Sequence, residues 1–304
     1  MRTRGSPVRS IHLLSVLVGG LVAAGCAATT DTFRLDAVAK AGIAYTEKLP
    51  ALLDRSFELA AAVDSGALVE ARDALSEPQR RQMLEELDAV LRQRLPDYVA
   101  AKRHSDLLRS YFLALETLLE PDGPKGIGDA AKRLTAEFGK LSPRVRKARI
   151  GDVSVSGLIE PAAAVAVASF KSAVVRGELE ARGAAIEREL AVQEALLTAL
   201  SRQVRADGAV RSARFHRDEV VEPYVSGGRL PRLWAGRRLR SLRGSGDAEA
   251  AQAAERAARS LRKAFVEAMA GRLDHVQAAE LATTVEGFVE LVSRLGAEAR
   301  RVVR

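Results

Sequence analysis

The sequence predicts an all-α protein, an elongated antiparallel bundle of long amphipathic helices. Three observations carry that expectation. The 304 residues include 54 alanines but only 13 aromatics, a bias toward the best helix former and away from the residues that favour strands. Apolar residues recur at alternating spacings of three and four over most of the chain, the period of a helix with one buried face. No segment reads as a strand of useful length: Val153-Ser154-Val155 is the best candidate and is too short to build a sheet. With 47% hydrophobic and 28% charged residues, the chain has material for one or two domains, and its composition excludes disorder and collagen.

The first helix shows Leu35, Val38, Gly42, Tyr45, Leu49, Leu52, Ser56, Leu59 and Val63 on one stripe, seven of the nine apolar. Pro50 lies inside it and removes the hydrogen bond to the carbonyl of residue 46, so a kink or break is expected there. A second helix opens at Ser76-Glu77-Pro78-Gln79, where Ser76 caps and Gln79 reaches back. Met83, Leu84, Leu87, Val90, Leu91 and Leu95 form its apolar face. Pro96 is expected to end it, and Asp97 to open a third helix with Leu108, Tyr111, Leu115 and Leu118 on one stripe. Glu120-Pro121-Asp122-Gly123-Pro124-Lys125-Gly126-Ile127-Gly128 is the clearest loop. A shorter helix follows over about 129–141, then a basic irregular stretch to Gly157.

From about Leu158 to Ala206 an unbroken helix is expected, roughly 70 Å long, with Leu179, Ile186, Leu190, Leu197, Leu200 and Val204 at heptad-like spacing. Asp207-Gly208 is the expected stop. A helix to about Tyr224, the turn Ser226-Gly227-Gly228, an arginine-rich segment and the linker Gly244-Ser245-Gly246 come next. Two helices close the chain. One is alanine-faced (Ala250, Ala254, Ala257, Leu261, Phe265), which suits close approach. The other carries Leu281, Val285, Phe288, Val292, Leu295, Ala299 and Val302, the strongest pattern in the chain, and this pair is expected to close against the first helix. The breaks within 207–246 leave room for a boundary between two bundles.

Residues 1–25 differ from everything after them. Arg2, Arg4 and Arg9 make a positive start, and the uncharged run Leu13 to Gly25 follows, the two parts of an export signal. The run is too short for a bilayer core of roughly 30 Å, which takes about 20 residues. It ends in Val22-Ala23-Ala24-Gly25-Cys26, and Cys26 is the only cysteine of the chain. This stretch resembles the lipobox of bacterial lipoproteins, with Ala23 where that family often has Leu. The resemblance implies cleavage before Cys26, a diacylglycerated thiol and an acylated new amino terminus. Residues 1–25 are then the signal peptide, 26–31 a lipidated tether and 32–304 the helical bundle. The alternatives are an ordinary secretory signal that leaves Cys26 free or removed, and a chance apolar stretch in a cytosolic protein. Two or more acyl chains hold a protein stably in a bilayer, at ~0.8 kcal/mol per buried methylene. Because Ala27 and not Asp follows Cys26, the resemblance points to the outer membrane, facing the periplasm, or otherwise to the outer face of the cytoplasmic membrane. Loss of residues 1–25 also removes three arginines and lowers the formal charge from +8 to +5.

A search for chemistry finds little. A single thiol excludes an intrachain disulfide and a cysteine-based zinc cage. His104, His216 and His275 lack the Glu three residues before that helical di-metal sites use, and His-Glu-x-x-His is absent. His104 shares a stripe with Leu108 and Tyr111 and reads as a satisfied core or boundary histidine. The polar run Phe215 to Glu219 reads as a solvated face. The glycine-rich loop 123–128 follows a helix, not a strand, and so reads as a turn rather than a phosphate cradle. Ser260-Leu261-Arg262-Lys263 matches Ser-x-x-Lys without its companion motifs. No catalytic, cofactor-binding or metal-binding residue is assigned.

The informative polar feature is the run from Arg229 to Arg243, where Arg229, Arg232, Arg237, Arg238, Arg240 and Arg243 surround the only tryptophan, Trp234, without a single acid. Such a run suits contact with a membrane or anionic glycolipid, or a protein partner; alternatively its arginines pair with acids of neighbouring helices. The basic residues Lys140, Arg144, Arg146, Lys147 and Arg149 could add to it. Export removes nucleic acid as a ligand. The expected partners are therefore the bilayer, through acylated Cys26, and another envelope protein. The function expected is that of an anchored scaffold or adaptor rather than an enzyme, with a helical solute- or lipid-binding accessory as the alternative.

Overall fold

A computed structural model of the protein describes residues 11–120, 127–161, 166–167, 172–243 and 246–302, with side chains described from residue 34 onward except at 127–131, 243 and 298–302. The long helices are α1 (Ile11–Ala71), α2 (Glu77–Leu119), α3 (Ile127–Lys147), α4 (Ala173–His216), α7 (Asp247–Met269) and α8 (His275–Val302). Short pieces join them. A two-residue hairpin, β1 (Arg149–Ile150) with β2 (Val153–Ser154), follows α3. A π-helical turn (Arg217–Val221) leads from α4 into α5 (Glu222–Val225), and α6 (Trp234–Arg243) precedes α7. The protein is an all-α bundle, as its composition predicts.

Long-range contacts set the directions of the helices. Gly42 of α1 meets Phe112 of α2 while Ser56 meets Tyr98, so α1 and α2 are antiparallel. Gly183 of α4 meets Met269 of α7 while Thr198 meets Glu255, which makes that pair antiparallel too. Arg55 of α1 bonds Asp247 at the start of α7 (Nε to Oδ1, 2.8 Å), and Arg34 donates to the Gly271 carbonyl just beyond its end. Helices α7 and α8 thus close against α1. Tyr45 and Phe288 stack at 5.6 Å across α1 and α8. The negative Asp247 sits in the first turn of α7, where the helix dipole favours it.

The α1 stripe is buried as the spacing predicts: every member from Leu35 to Leu59 lies in the core and Val63 is half-buried. The heptad residues of α4 and the alanine face of α7 are likewise buried. Gly42 is required by packing. A Cβ there would lie 2.5 Å from the Phe112 ring, so only glycine lets α2 approach this closely.

Several boundaries differ from the sequence expectation. Helix α1 runs unbroken through Pro50. The carbonyl of Thr46, which proline leaves without its helical donor, accepts instead from Ser105 Oγ of α2 at 3.1 Å. Helix α2 likewise runs through Pro96, so the expected second and third helices are one. Pro96 is exposed, and water can serve the carbonyl it frees. Helix α4 begins at Ala173, not near Leu158, with Ser172 Oγ accepting from the Val175 amide at 3.3 Å. It passes through Asp207-Gly208 to His216. Glycine there costs about 1 kcal/mol, and the contacts of Arg214 with α1 further along hold the helix together. Arg214 donates to the Val63 carbonyl (3.2 Å) and to Glu70 (2.8 Å), lying across Gly66 where a Cβ would collide with it. Residues 26–31, expected as an extended tether, have helical backbone within α1. Their rise is about 9 Å. Helix α3 takes in Ile127 and Gly128 of the loop expected over 120–128 and runs on through residues 142–147, expected to be irregular; residues 121–126 lie outside the described residues, as does the positive start at Arg2, Arg4 and Arg9.

The apolar face expected for the first half of α2 is not in the core. Leu84, Val90 and Leu95 are exposed, and Met83, Leu87 and Leu91 are half-buried. This half of α2 and the end of α1 extend past the closely packed body, alongside the end of α4.

The Ser105 bond to the Thr46 carbonyl is open to a double-mutant test. Ser105→Ala is expected to cost about 1–3 kcal/mol, the penalty for a buried carbonyl left unpaired. In a Pro50→Ala background residue 50 again has an amide hydrogen for that carbonyl, and the same Ser105→Ala change should cost less than half as much in urea unfolding.

Candidate functional site

The arginine-rich segment forms a small structured unit at the end of α4. Helix α6 folds back antiparallel on it. Trp234 Nε1 donates to the Val220 carbonyl at 3.0 Å, and its ring stacks on Tyr224 at 5.6 Å. Arg237 pairs with Glu219, and Ser241 Oγ lies 2.9 Å from His216 Nδ1. Positions 234, 237 and 241 are spaced by three and four, so they share the face of α6 turned toward α4. The tryptophan is therefore an anchor for α6 rather than a free interfacial side chain.

The remaining arginines behave differently. Arg229, Arg232, Arg238 and Arg240 are exposed, and none has an ion pair among the described residues. Leu230, Leu233, Leu239 and Leu242 lie between them, with Leu233 and Leu242 each 68% exposed. The side chain of Arg243 is outside the described residues. The structure therefore divides the candidate patch: Trp234 and Arg237 hold α6 in place, and four arginines with four leucines face solvent. The second basic stretch does not extend it as free charge throughout. Lys140 pairs with Glu137 at 2.9 Å, and Arg146 lies 3.7 Å from Glu189.

The backbone at Cys26 is helical, 37 residues before Val63 on the same helix. At 1.5 Å per residue the cysteine and the arginine-rich end are separated by about 55 Å along α1.

One polar constellation is buried. His104 of α2 has no exposed surface; Nε2 donates to Glu189 Oε2 at 3.0 Å, and Nδ1 lies 2.7 Å from the Gln193 amide. Ser142 of α3 donates to the same Glu189 oxygen. The sequence placed His104 in the core but not its partners. Glu189 and Gln193, four apart on an apolar stretch of α4, were the available signal. Burial pushes the Glu189 carboxyl up, yet the bonds from His104 and Ser142 and the charge of Arg146 outweigh it and hold the group below the usual carboxylate range. Ser142 gives its proton to Glu189 and does not meet the imidazole, so the group ties α2, α3 and α4 together rather than preparing a nucleophile.

Asp207 of α4 is the opposite case. Burial raises its carboxyl above the ordinary range, the Gln203 bond works against this, and the nearby Asp64 charge adds to it. One of its oxygens has no hydrogen-bond partner.

Among the described residues, no group of three or more His, Cys, Asp or Glu could hold a metal ion. No described helix is long and apolar enough to cross a membrane. An open groove of about 200 Å³, lined by Leu68, Arg72, Leu75, Arg80, Met83 and Leu84, lies between the ends of α1 and α2. Ligand pockets usually start at about 300 Å³. No family model matches the chain, and no curated protein or solved structure matches it.

The two buried carboxyls predict opposite pH effects. A lowered folded-state value stabilises above the ordinary glutamate range and is lost as pH falls through that range. A raised value stabilises below the ordinary aspartate range and is lost as pH rises through it. Glu189→Gln should therefore lower the thermal midpoint most at about pH 7, with a smaller loss at about pH 4. Asp207→Asn, which keeps the oxygen that accepts from Gln203, should raise the midpoint at about pH 7 and lose that advantage in acid. Thermal unfolding followed by circular dichroism across this range checks both.

Proposed function

We propose that the protein is a cell-envelope lipoprotein, anchored through acylated Cys26, whose helical bundle serves as a scaffold or adaptor for another envelope component. The observation that carries this reading is the arrangement at the start of the chain. Three arginines precede an uncharged run that is too short to span a bilayer, and the run ends in small residues before the only cysteine. The resemblance to the lipobox gives that cysteine a role.

The body supports a role in binding. It is an all-α bundle with a continuous apolar core from α1 to α8. Its buried polar groups join helices to one another, as His104, Glu189 and Ser142 do. With Ala27 after Cys26, the outer membrane facing the periplasm is the proposed location. Because α1 is helical through residues 26–31, the anchor would be coupled to the bundle by a stiff connection.

Cys26→Ser is expected to move the protein from the membrane fraction to the soluble fraction and to abolish labelling by a tagged fatty acid. Unchanged fractionation would overturn the anchor.

A further inference from the structure

We propose that the end of the molecule remote from Cys26 is a docking head, and that α6 and the turn before it bind an acidic amphipathic helix of a protein partner. Among the described residues sixteen large apolar side chains are notably exposed, and all but Val99, Leu113, Val174 and Val276 belong to the ends of α1 and α4, the first half of α2, or the segment from the π-helical turn to α6. Exposed apolar surface concentrated in this way marks an interaction site. The rest of the surface follows the ordinary rule of scattered single residues.

The chemistry of the surface selects the partner. Ala235, Leu239 and Leu242, spaced by four and three, form an exposed stripe on α6, away from the face anchored by Trp234, Arg237 and Ser241. Arg238 borders that stripe, Arg240 is exposed farther round the helix, and Arg229 and Arg232 lie exposed in the preceding turn. Between Pro223 and Gly246 the sequence contains no acid. In the body, arginines that face neighbouring acids are paired, Arg55 with Asp247, Arg182 with Glu178, and Arg259 and Arg262 with Glu194, whereas the arginines of this run stand close together in sequence with no acid among them. Four unpaired arginines interleaved with leucines are complementary to a helix with apolar residues at three- and four-residue spacing and carboxylates beside them. The site is also preorganised, because the tryptophan stack and the Arg237–Glu219 pair hold α6 before any partner arrives.

Position separates this partner from the anchoring bilayer. The argument rests here on the proposed anchor: if Cys26 is in the membrane, the docking head stands about 55 Å away along α1. The bundle would have to lie flat for the arginines to reach that surface.

The test uses the full-length protein in nanodiscs of uncharged lipid. Three probes are compared: an amphipathic helical peptide of Leu and Glu, an oligoglutamate of equal charge, and anionic phospholipid vesicles. The Leu/Glu helix is expected to bind tightest, and to bind at least tenfold more weakly to both the Arg232→Gln/Arg238→Gln/Arg240→Gln and the Leu239→Ser/Leu242→Ser variants. A control with equal charge loss at the other end, Lys40→Gln/Arg176→Gln/Arg272→Gln, should stay within twofold of the parent. Absence of peptide binding, equal binding by all variants, or oligoglutamate binding that matches the helix would overturn the proposal. Vesicle binding with the same residue dependence, in place of peptide binding, would assign the surface to a membrane instead. Peptide binding that persists while Cys26→Ser leaves fractionation unchanged would reject the anchor alone.

Discussion

The burial of α1 on several sides at once constrains the rest of the molecule. Between Leu35 and Leu59 this helix meets α2 through Gly42 and Ser56, α7 through Arg55, and α8 through Tyr45. A helix enclosed in this way cannot leave a backbone carbonyl bare. Pro50 creates one such carbonyl at Thr46, and Ser105 supplies its donor from the neighbouring helix. The same contact region needs the missing side chain of Gly42 to admit Phe112. The register of α2 on α1 is thus set by a hydrogen bond and a steric fit only a few residues apart, and the position of His104 beside Ser105 carries that register on to α4 and α3.

Polar groups divide into those that join helices and those that face outward. His104, Glu189, Gln193 and Ser142 are buried and meet one another, linking three helices. Breaking such a group is costly because each partner is left without water as a substitute. Asp207 is less well served, with one carboxylate oxygen unpartnered close to where the helices leave the packed body. Beyond it, α1 and α4 are joined mainly by Arg214 and Arg217 on Glu70. Exposed ion pairs of this kind contribute little each, so the far end depends less on burial than the body does.

This gradient gives the proposed function a physical form. One helix connects the cysteine at the start of the chain with the end that carries most of the exposed leucines and valines. The proposed anchor at one end and the proposed docking surface at the other would suit an adaptor that holds a partner clear of a bilayer. The stiffness comes from the helical backbone of α1, which continues through Pro50 with Ser105 serving the carbonyl of Thr46, and the availability of the far surface comes from the shorter extent of α7 and α8.

Much of this architecture was legible in the sequence. The three-and-four spacing of α1, α4, α7 and α8 named the core residues, because a helix with one buried face repeats at 3.6 residues whatever packs on it. The lone cysteine and the acid-free arginine run were visible as well. The prolines at 50 and 96 and the Asp207-Gly208 pair misled, since each is a local signal against a helix, and the groups that offset them, such as Ser105 and Arg214, come from other helices. The leucines of early α2 misled in the opposite sense: the period showed an apolar face but not whether another helix reached it. The amino-acid sequence by itself determined the helical class, the core stripes and the place of the cysteine, all of which follow from local periodicity and composition. Only the tertiary structure decided where helices continue through their breakers, which polar residues meet in the core, and that the arginine-rich run lies at the opposite end from Cys26. Those facts depend on which distant segments come together.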